Sequence, residues 1–187
     1  MTPDRPFVVC SGLPGSGKST IARTLAPLMK LMLVDKDDIL ERLFESRGIG
    51  DAAWRRQISR ESDAILRSTV ESSDGAIVSS FWHVDGMDAD SGTPTDWLRA
   101  LSTTIVNVHC ECPPAIAADR FLRRARHPGH LDGARTARDV LASIQALAPY
   151  GPLAIGEPVV VDTTHPVPFD GLLSEVEAAL TRGLRTL

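Results

Sequence analysis

The sequence predicts an α/β domain in which helices cover a parallel β-sheet. Five short apolar runs alternate with stretches of helical periodicity, the pattern of strands joined by crossover helices. The first run leads into a glycine-rich turn and then an amphipathic helix. The chain has 187 residues, 43% of them hydrophobic and 24% charged, which is the size and composition of one globular unit. Residues 1–187 are therefore read as a single domain.

Phe7-Val8-Val9-Cys10 is the first strand, apolar on both faces. Behind Gly17, residues Ile21, Leu25, Leu28 and Met29 recur at helical spacing and give the first helix. Leu31 to Val34 form a second strand, ended by the charged run Asp35-Lys36-Asp37-Asp38. A helix follows from about Asp37 to Ser46, up to the break Gly48-Ile49-Gly50. Trp54, Ile58, Ile65 and Leu66 mark a long helix to about Ser72, and the turn Asp74-Gly75 introduces a third strand over Ala76–Ser80. Residues 83–95 carry three Asp, two Gly and Pro94, so they form a loop. Thr104 to Cys110 is the fourth strand. Pro113-Pro114 opens a helix that runs to about Arg126, where His127-Pro128-Gly129-His130 breaks it. A helix over Thr136–Ala148, a fifth strand over Pro158–Val161 and a closing helix marked by Leu172, Val176, Leu180 and Leu184 complete the chain. The loop at 83–95 and the stretch 127–135 are the segments expected to move.

The charge balance narrows the function. A net charge of −4 weighs against a main task of gripping nucleic-acid phosphates. Met1–Pro6 lacks the pattern of a signal peptide, and no apolar run approaches the ~20 residues of a membrane helix. Cys10, Cys110 and Cys112 fall in predicted strands, which fits reduced thiols and a cytoplasmic location. Cys110-Glu111-Cys112 has no second Cys/His pair at ligand spacing, so it is read as strand.

Gly12-Leu13-Pro14-Gly15-Ser16-Gly17-Lys18-Ser19-Thr20 matches the phosphate-binding loop G-x-x-x-x-G-K-[ST] at every fixed position. Glycines there let several N–H groups turn inward around a phosphate, and the following helix adds its N-terminal partial charge. Lys18 can reach the β- and γ-phosphates, and the Ser19 hydroxyl can complete a Mg²⁺ shell. The strand before and the helix after supply the context that the motif needs. This predicts a nucleoside triphosphate site.

Asp35, Asp37 and Asp38 close the second strand, where the carboxyl ends of parallel strands face a ligand crevice. A carboxylate there can take a proton from an attacking hydroxyl or hold Mg²⁺ through water. The plainer alternative is that they cap the next helix, which is the reading preferred for Asp38. Asp37 is the first candidate for a functional role, and Asp35 the second.

Together, Gly-Leu-Pro-Gly-Ser-Gly-Lys-Ser-Thr and an Asp-x-Asp about fifteen residues on resemble the small P-loop kinases. That group includes shikimate and gluconate kinases, chloramphenicol phosphotransferase, polynucleotide 5′-hydroxyl kinase domains and zeta-toxin-type kinases. The resemblance implies a three-layer fold with a five-stranded parallel sheet in order 2-3-1-4-5, closed by an arginine-rich lid at about residues 120–135. It implies that Asp37 binds the acceptor hydroxyl and acts as base. Lid arginines, among them Arg120, Arg124 and Arg126, would close over the triphosphate, and Thr163 and Thr164 would pass the adenine ring. ATP and Mg²⁺ are the implied cofactors. Arg120 and Arg124 stand four apart and share a helix face, and clustered guanidinium groups suit a transferring phosphoryl group. His127 and His130 are read as surface residues of the lid turn.

The acceptor side is less determined. Ser79-Ser80-Phe81-Trp82-His83 stands where shikimate kinases carry Gly-Gly-Gly, which argues against shikimate. The third strand ends without the acidic residue of motor ATPases and GTPases, and no Asn-Lys-x-Asp guanine signature occurs. Phe81, Trp82 and His83 could stack on a ring-bearing acceptor, or simply pack beneath the loop. Asp85, Asp88 and Asp90 suit a cationic acceptor or a solvated acidic loop, whereas Arg42 and Arg56 suit an anionic one. The expected function is transfer of the γ-phosphoryl group of ATP to a hydroxyl of a small molecule. Lys18, Asp37, Arg124 and Arg126 are catalytic in this reading, with Asp35 and Ser19 at the metal. A polynucleotide 5′-hydroxyl kinase and a nucleotide-binding regulatory or resistance protein without an acceptor are the alternatives.

Overall fold

The computed structural model describes residues 5–88, 91–101 and 104–185. Asp90, named above, lies outside them. Five strands form one parallel sheet in spatial order β2-β3-β1-β4-β5. They are β1 (Phe7–Gly12), β2 (Met32–Asp35), β3 (Ala76–Ser79), β4 (Ile105–Glu111) and β5 (Glu157–Asp162). The helices are α1 (Lys18–Met29), α2 (Lys36–Arg47), α3 (Ala52–Glu71), α4 (Pro114–Arg123), α5 (Ala137–Leu147) and α6 (Phe169–Arg185).

Strand alternation divides the core into two layers. Val8 and Cys10 of β1 face one side with Ile21 and Leu25 of α1 and Leu172 and Val176 of α6. Phe7 and Val9 face the other with Leu66 and Val70 of α3, Trp82 and Trp97. Both faces are covered, so β1 reads as one unbroken apolar run.

The parallel register brings the carboxyl ends of the strands to one edge, with Asp35 level with Ser79 and Gly12 level with Cys110. Strand ends shift by one or two residues from the sequence expectation, and two helix boundaries shape the site. Helix α2 starts at Lys36, because the Asp35 carboxylate accepts a hydrogen bond from the Asp37 N–H at 3.0 Å and caps it. Helix α4 stops at Arg123, since Arg124 takes an extended conformation at φ −73° and ψ 134°. Arg124 and Arg126 therefore do not continue a helix face. They lie on the strap that leads to short 3₁₀ turns at Pro128–His130 and Asp132–Ala134.

Candidate active site

The loop between β1 and α1 curls tightly enough that two of its glycines are obligatory. Gly12 and Gly15 both have positive φ, and a Cβ would stand 2.3 Å from the Cys110 carbonyl oxygen at Gly12 and 2.1 Å from that of Ala117 at Gly15. Backbone fixes both walls, so neither can yield. Lys18, on the first turn of α1, turns back and donates from Nζ to the carbonyls of Gly12 (2.9 Å) and Leu13 (2.8 Å). Burial pushes its pKa down. Thr163, expected at the adenine, is buried behind the loop. Its hydroxyl donates toward the Ser16 carbonyl at 2.7 Å, which ties β5 to the cradle.

Lys18, Ser19, Thr20, Asp35 and Asp37 line one cleft of about 1970 Å³, its open mouth included. Burial raises the Asp35 pKa, against hydrogen bonding from Ser19 and the Asp37 amide. Its Oδ2 is sealed from solvent without a hydrogen-bond partner. Asp37 behaves oppositely. Burial alone would raise its pKa, but Arg126, His130 and Arg124 outweigh burial and hold it below the usual carboxylate range. Asp38 does not line the cleft and does not cap the helix, a task Asp35 performs; it sits in the first turn of α2 and pairs with Arg23 at 2.6 Å.

The lid is organised around two aromatic rings. Phe121 carries Arg124 at 4.6 Å, Arg135 at 5.5 Å and Arg126 at 6.0 Å from its centroid, and all three arginines line the cleft. Arg126 bridges Asp37 (2.7 Å) and Asp132 (2.6 Å). Arg120 also lines the cleft and donates to the Thr164 carbonyl at 3.0 Å. Arg123 is exposed and pairs with Asp119. The second ring is Phe44 of α2. His127 stacks on it at 5.3 Å, His130 meets it edge-on at 5.1 Å, and Gly129 packs flat against it. His130 is thus buried, and its Nε2 lies 3.2 Å from Glu41 Oε1, which corrects the surface reading made from sequence.

The acceptor-side candidates separate. Phe81 is half-buried and lines the cleft beside Ser79 and Ser80. Trp82 is only 4% exposed and donates from Nε1 to the Cys10 carbonyl at 2.8 Å, so it belongs to the core. The His83 ring is bound through Nδ1 to the Ser91 carbonyl at 2.7 Å. Arg42 is exposed and lies outside the lining of the cleft, because residues 40, 43 and 44 form the buried face of α2. Arg56 is exposed as well. Its neighbour Arg55 lines the cleft instead, above the Phe44 ring at 5.4 Å and with Nε buried and unpartnered. Sequence reasoning missed Arg55, Asp132 and Arg135. For Arg55 a signal existed: it stands four before Ser59 and flanks the Trp54/Ile58 stripe, but the sequence does not say which flank faces the crevice.

Sequence reasoning also missed the network under the acceptor wall. Lys36 Nζ pairs with Asp63 at 2.5 Å and donates to Thr93 at 3.0 Å, and Thr93 in turn meets Ser80 at 2.6 Å. This cluster pins the 81–93 loop to α2 and α3.

Fold and site together define a P-loop domain of the small-kinase type. The AAA domain family model (AAA_33) matches residues 7–148, and the chain belongs to that family. A candidate kinase from Chloroflexus aurantiacus shares 25% of its residues at a TM-score of 0.77, over 94% of this chain and 98% of that one. A gluconokinase from Sinorhizobium meliloti is similar in fold at 18% identity and a TM-score of 0.56, over 95% of this chain and 92% of that one. The shikimate kinase of Corynebacterium jeikeium is 36% identical over 78 residues, or 38% of this chain and 40% of that protein. That of Corynebacterium glutamicum is 57% identical over 37 residues, 20% of this chain and 22% of that one. The chain thus spans well under half the length of these curated relatives. No described helix is long and apolar enough to cross a membrane.

Proposed function

We propose that this protein transfers the γ-phosphoryl group of ATP to a hydroxyl of a small molecule. One observation carries the reading: a single cleft holds the P-loop Lys18, the carboxylates of Asp35 at the end of β2 and Asp37 at the start of α2, and four lid-side arginines. Phosphoryl transfer needs donor charge neutralised and an acceptor hydroxyl oriented, and these groups serve both needs. Lys18, Arg120, Arg124 and Arg135 bind and neutralise the phosphates. The ionised Asp37 accepts the hydrogen bond of the acceptor hydroxyl and takes its proton as the bond to phosphorus forms. The residues present fit Mg²⁺, because Ser19 and Asp35 line the same cleft and Asp35 Oδ2 takes no hydrogen bond, its nearest cation being Arg23 at 3.7 Å. Ser19 would hold the ion directly and Asp35 through water, and the ion would offset charge on the phosphates.

On the acceptor side, Arg55 offers a cation with an unsatisfied donor and Phe81 an aromatic edge. Relatives named as kinases of gluconate and shikimate support a small polyhydroxylated acceptor. The deciding experiment measures acceptor-stimulated ADP release with Mg²⁺ across hydroxylated acids, sugars, nucleosides, antibiotics and 5′-hydroxyl oligonucleotides. Stimulation by a small molecule, lost in Lys18→Ala, supports the proposal. ATP binding with no acceptor effect anywhere in the panel sinks it.

A further inference from the structure

The cleft is lined by a buried cation that the chemistry proposed above does not use. Lys36 stands between Asp35 and Asp37 in sequence and is only 8% exposed. Asp35 faces α1, where Arg23 stands 3.7 Å away, whereas the Lys36 ammonium turns to α3 and pairs with Asp63 at 2.5 Å. A lysine between two cleft carboxylates is thus drawn off the phosphate side.

Both ions of this pair meet at Thr93. Lys36 Nζ donates to its Oγ1 at 3.0 Å, Asp63 Oδ1 lies 2.8 Å from the same oxygen, and Ser80 Oγ lies 2.6 Å from it. The Thr93 backbone closes the loop as well. Its N–H donates to the Phe81 carbonyl at 2.7 Å, and its carbonyl accepts from the His83 N–H at 2.8 Å. Thr93 is 1% exposed and does not line the cleft. Ser80 and Phe81, bonded to it, and Gly92, beside it, do line the cleft. A buried ion pair is costly, and two apolar side chains of similar size would hold α2 to α3 about as well. Apolar side chains could not grip the Thr93 hydroxyl from two sides with charge-assisted hydrogen bonds.

We propose that Lys36, Asp63 and Thr93 are positioning residues for the phosphoryl acceptor. The ion pair grips Thr93, and Thr93 sets the wall of Ser80, Phe81 and Gly92 against which the acceptor is held. Lys36 is the residue before Asp37, so one peptide link indexes this wall to the base. Lys36 binds no phosphate in this arrangement, although it lines the cleft. The assignment rests on the phosphoryl-transfer reading above.

Thr93→Val keeps the shape of the side chain and removes only the hydroxyl grip, and two measurements judge it. Amide exchange on the free protein reads the clamp without any acceptor. The His83 and Thr93 N–H groups should exchange about tenfold faster than in wild type, while the amides of β1 hold. Initial rates with Mg²⁺-ATP and D-gluconate, shikimate, D-glucose, adenosine or chloramphenicol read the function. The KM of the accepted compound should rise about tenfold, the worth of a hydrogen bond to a charged group, with the KM for ATP unchanged. Thr93→Ser should restore both readouts. The double variant Lys36→Met/Asp63→Leu should keep the wild-type melting temperature and still show the raised acceptor KM, which a merely structural pair would not. Unchanged amide exchange in Thr93→Val would overturn the assignment alone. So would a KM for ATP that rises as much as the acceptor's, or a double variant with wild-type acceptor KM. If none of these compounds stimulates ADP release, the transfer reading falls and the assignment falls with it.

Discussion

The Arg126 guanidinium lies 2.7 Å from the Asp37 carboxylate, joining the lid to the first turn of α2 across 89 residues of sequence. The same arginine holds Asp132 at 2.6 Å, so one cation couples the candidate base to the lid's own turn. An acceptor hydroxyl that approaches Asp37 must share it with Arg126. Lid position and base availability are thereby linked.

Asp37→Asn should separate binding from transfer. It keeps the shape but removes the charge and most of the basicity. ATP affinity by calorimetry with Mg²⁺ is expected to change little, while acceptor phosphorylation falls about 100-fold. Asp38→Asn loses only a surface ion pair and should behave like wild type. Full transfer by Asp37→Asn would remove Asp37 from the chemistry.

Arg124→Ala is expected to lower turnover by about 100-fold or more, because it removes a cleft cation aimed at developing charge. Arg123→Ala, one residue earlier, should leave turnover unchanged, since Arg123 is exposed and pairs with Asp119 on the same helix. Equal effects on kcat from the two variants would show that general charge, and not placement, is what matters.

Gly129→Ala should unseat the lid. A Cβ there would stand 2.5 Å from the Phe44 ring, well inside contact distance. Overpacking of this kind costs about 1–3 kcal/mol, drawn from the lid's docking. Turnover should fall while the melting temperature of the sheet core changes little, and Phe44→Leu in the same chain should restore part of it. A Gly129→Ala protein with wild-type kcat would show that the lid does not dock this way during turnover.

Trp82→Phe tests the correction made at the acceptor wall. It deletes the hydrogen bond to the Cys10 carbonyl and leaves a gap beside β1. Stability in urea should drop by about 1–3 kcal/mol, with the acceptor KM unchanged. A raised KM at unchanged stability would return Trp82 to the acceptor site.

The His130 ring predicts a pH effect on stability. Burial, with Arg126 and Arg55, lowers its pKa against the opposing pull of Asp37 and Glu41. A base with a depressed folded pKa takes up its proton more readily when unfolded. The unfolded state is therefore favoured as pH falls below the ordinary histidine value of about 6.5. Wild type should lose stability from pH 7 to pH 5 by a component that His130→Leu lacks. Parallel stability profiles for the two proteins would exclude His130 as the source.

Much of this was legible in the sequence, for identifiable reasons. The P-loop and the Asp35/Asp37 pair are local motifs whose spacing fixes their geometry, and the alternation of apolar runs fixed the layers. Trp82 misled because an aromatic at a strand's carboxyl end serves core and ligand alike, and only its bond to Cys10 decides between them. Arg42 and Arg56 misled because helical periodicity gives a buried stripe without saying which flank meets the crevice. The Phe44–His130 contact spans 86 residues, and the Lys36–Asp63–Thr93 cluster joins three separate segments. Neither leaves a periodic trace.

The ring of Phe121, with three guanidinium groups within 6.0 Å of its centroid, has a consequence for discrimination among nucleotides. Like charges gathered around one aromatic ring repel one another, and burial together with the neighbouring Arg126 depresses the pKa of Arg124. A ligand relieves that crowding in proportion to the negative charge it brings. Under the proposed function the lid would count charges: a triphosphate should settle it, a diphosphate less, and a monophosphate hardly at all. Affinity should climb steeply from AMP to ATP, and added salt should flatten the climb. In the proposed reaction the same gradient would favour release of the spent nucleotide once its terminal phosphate has gone.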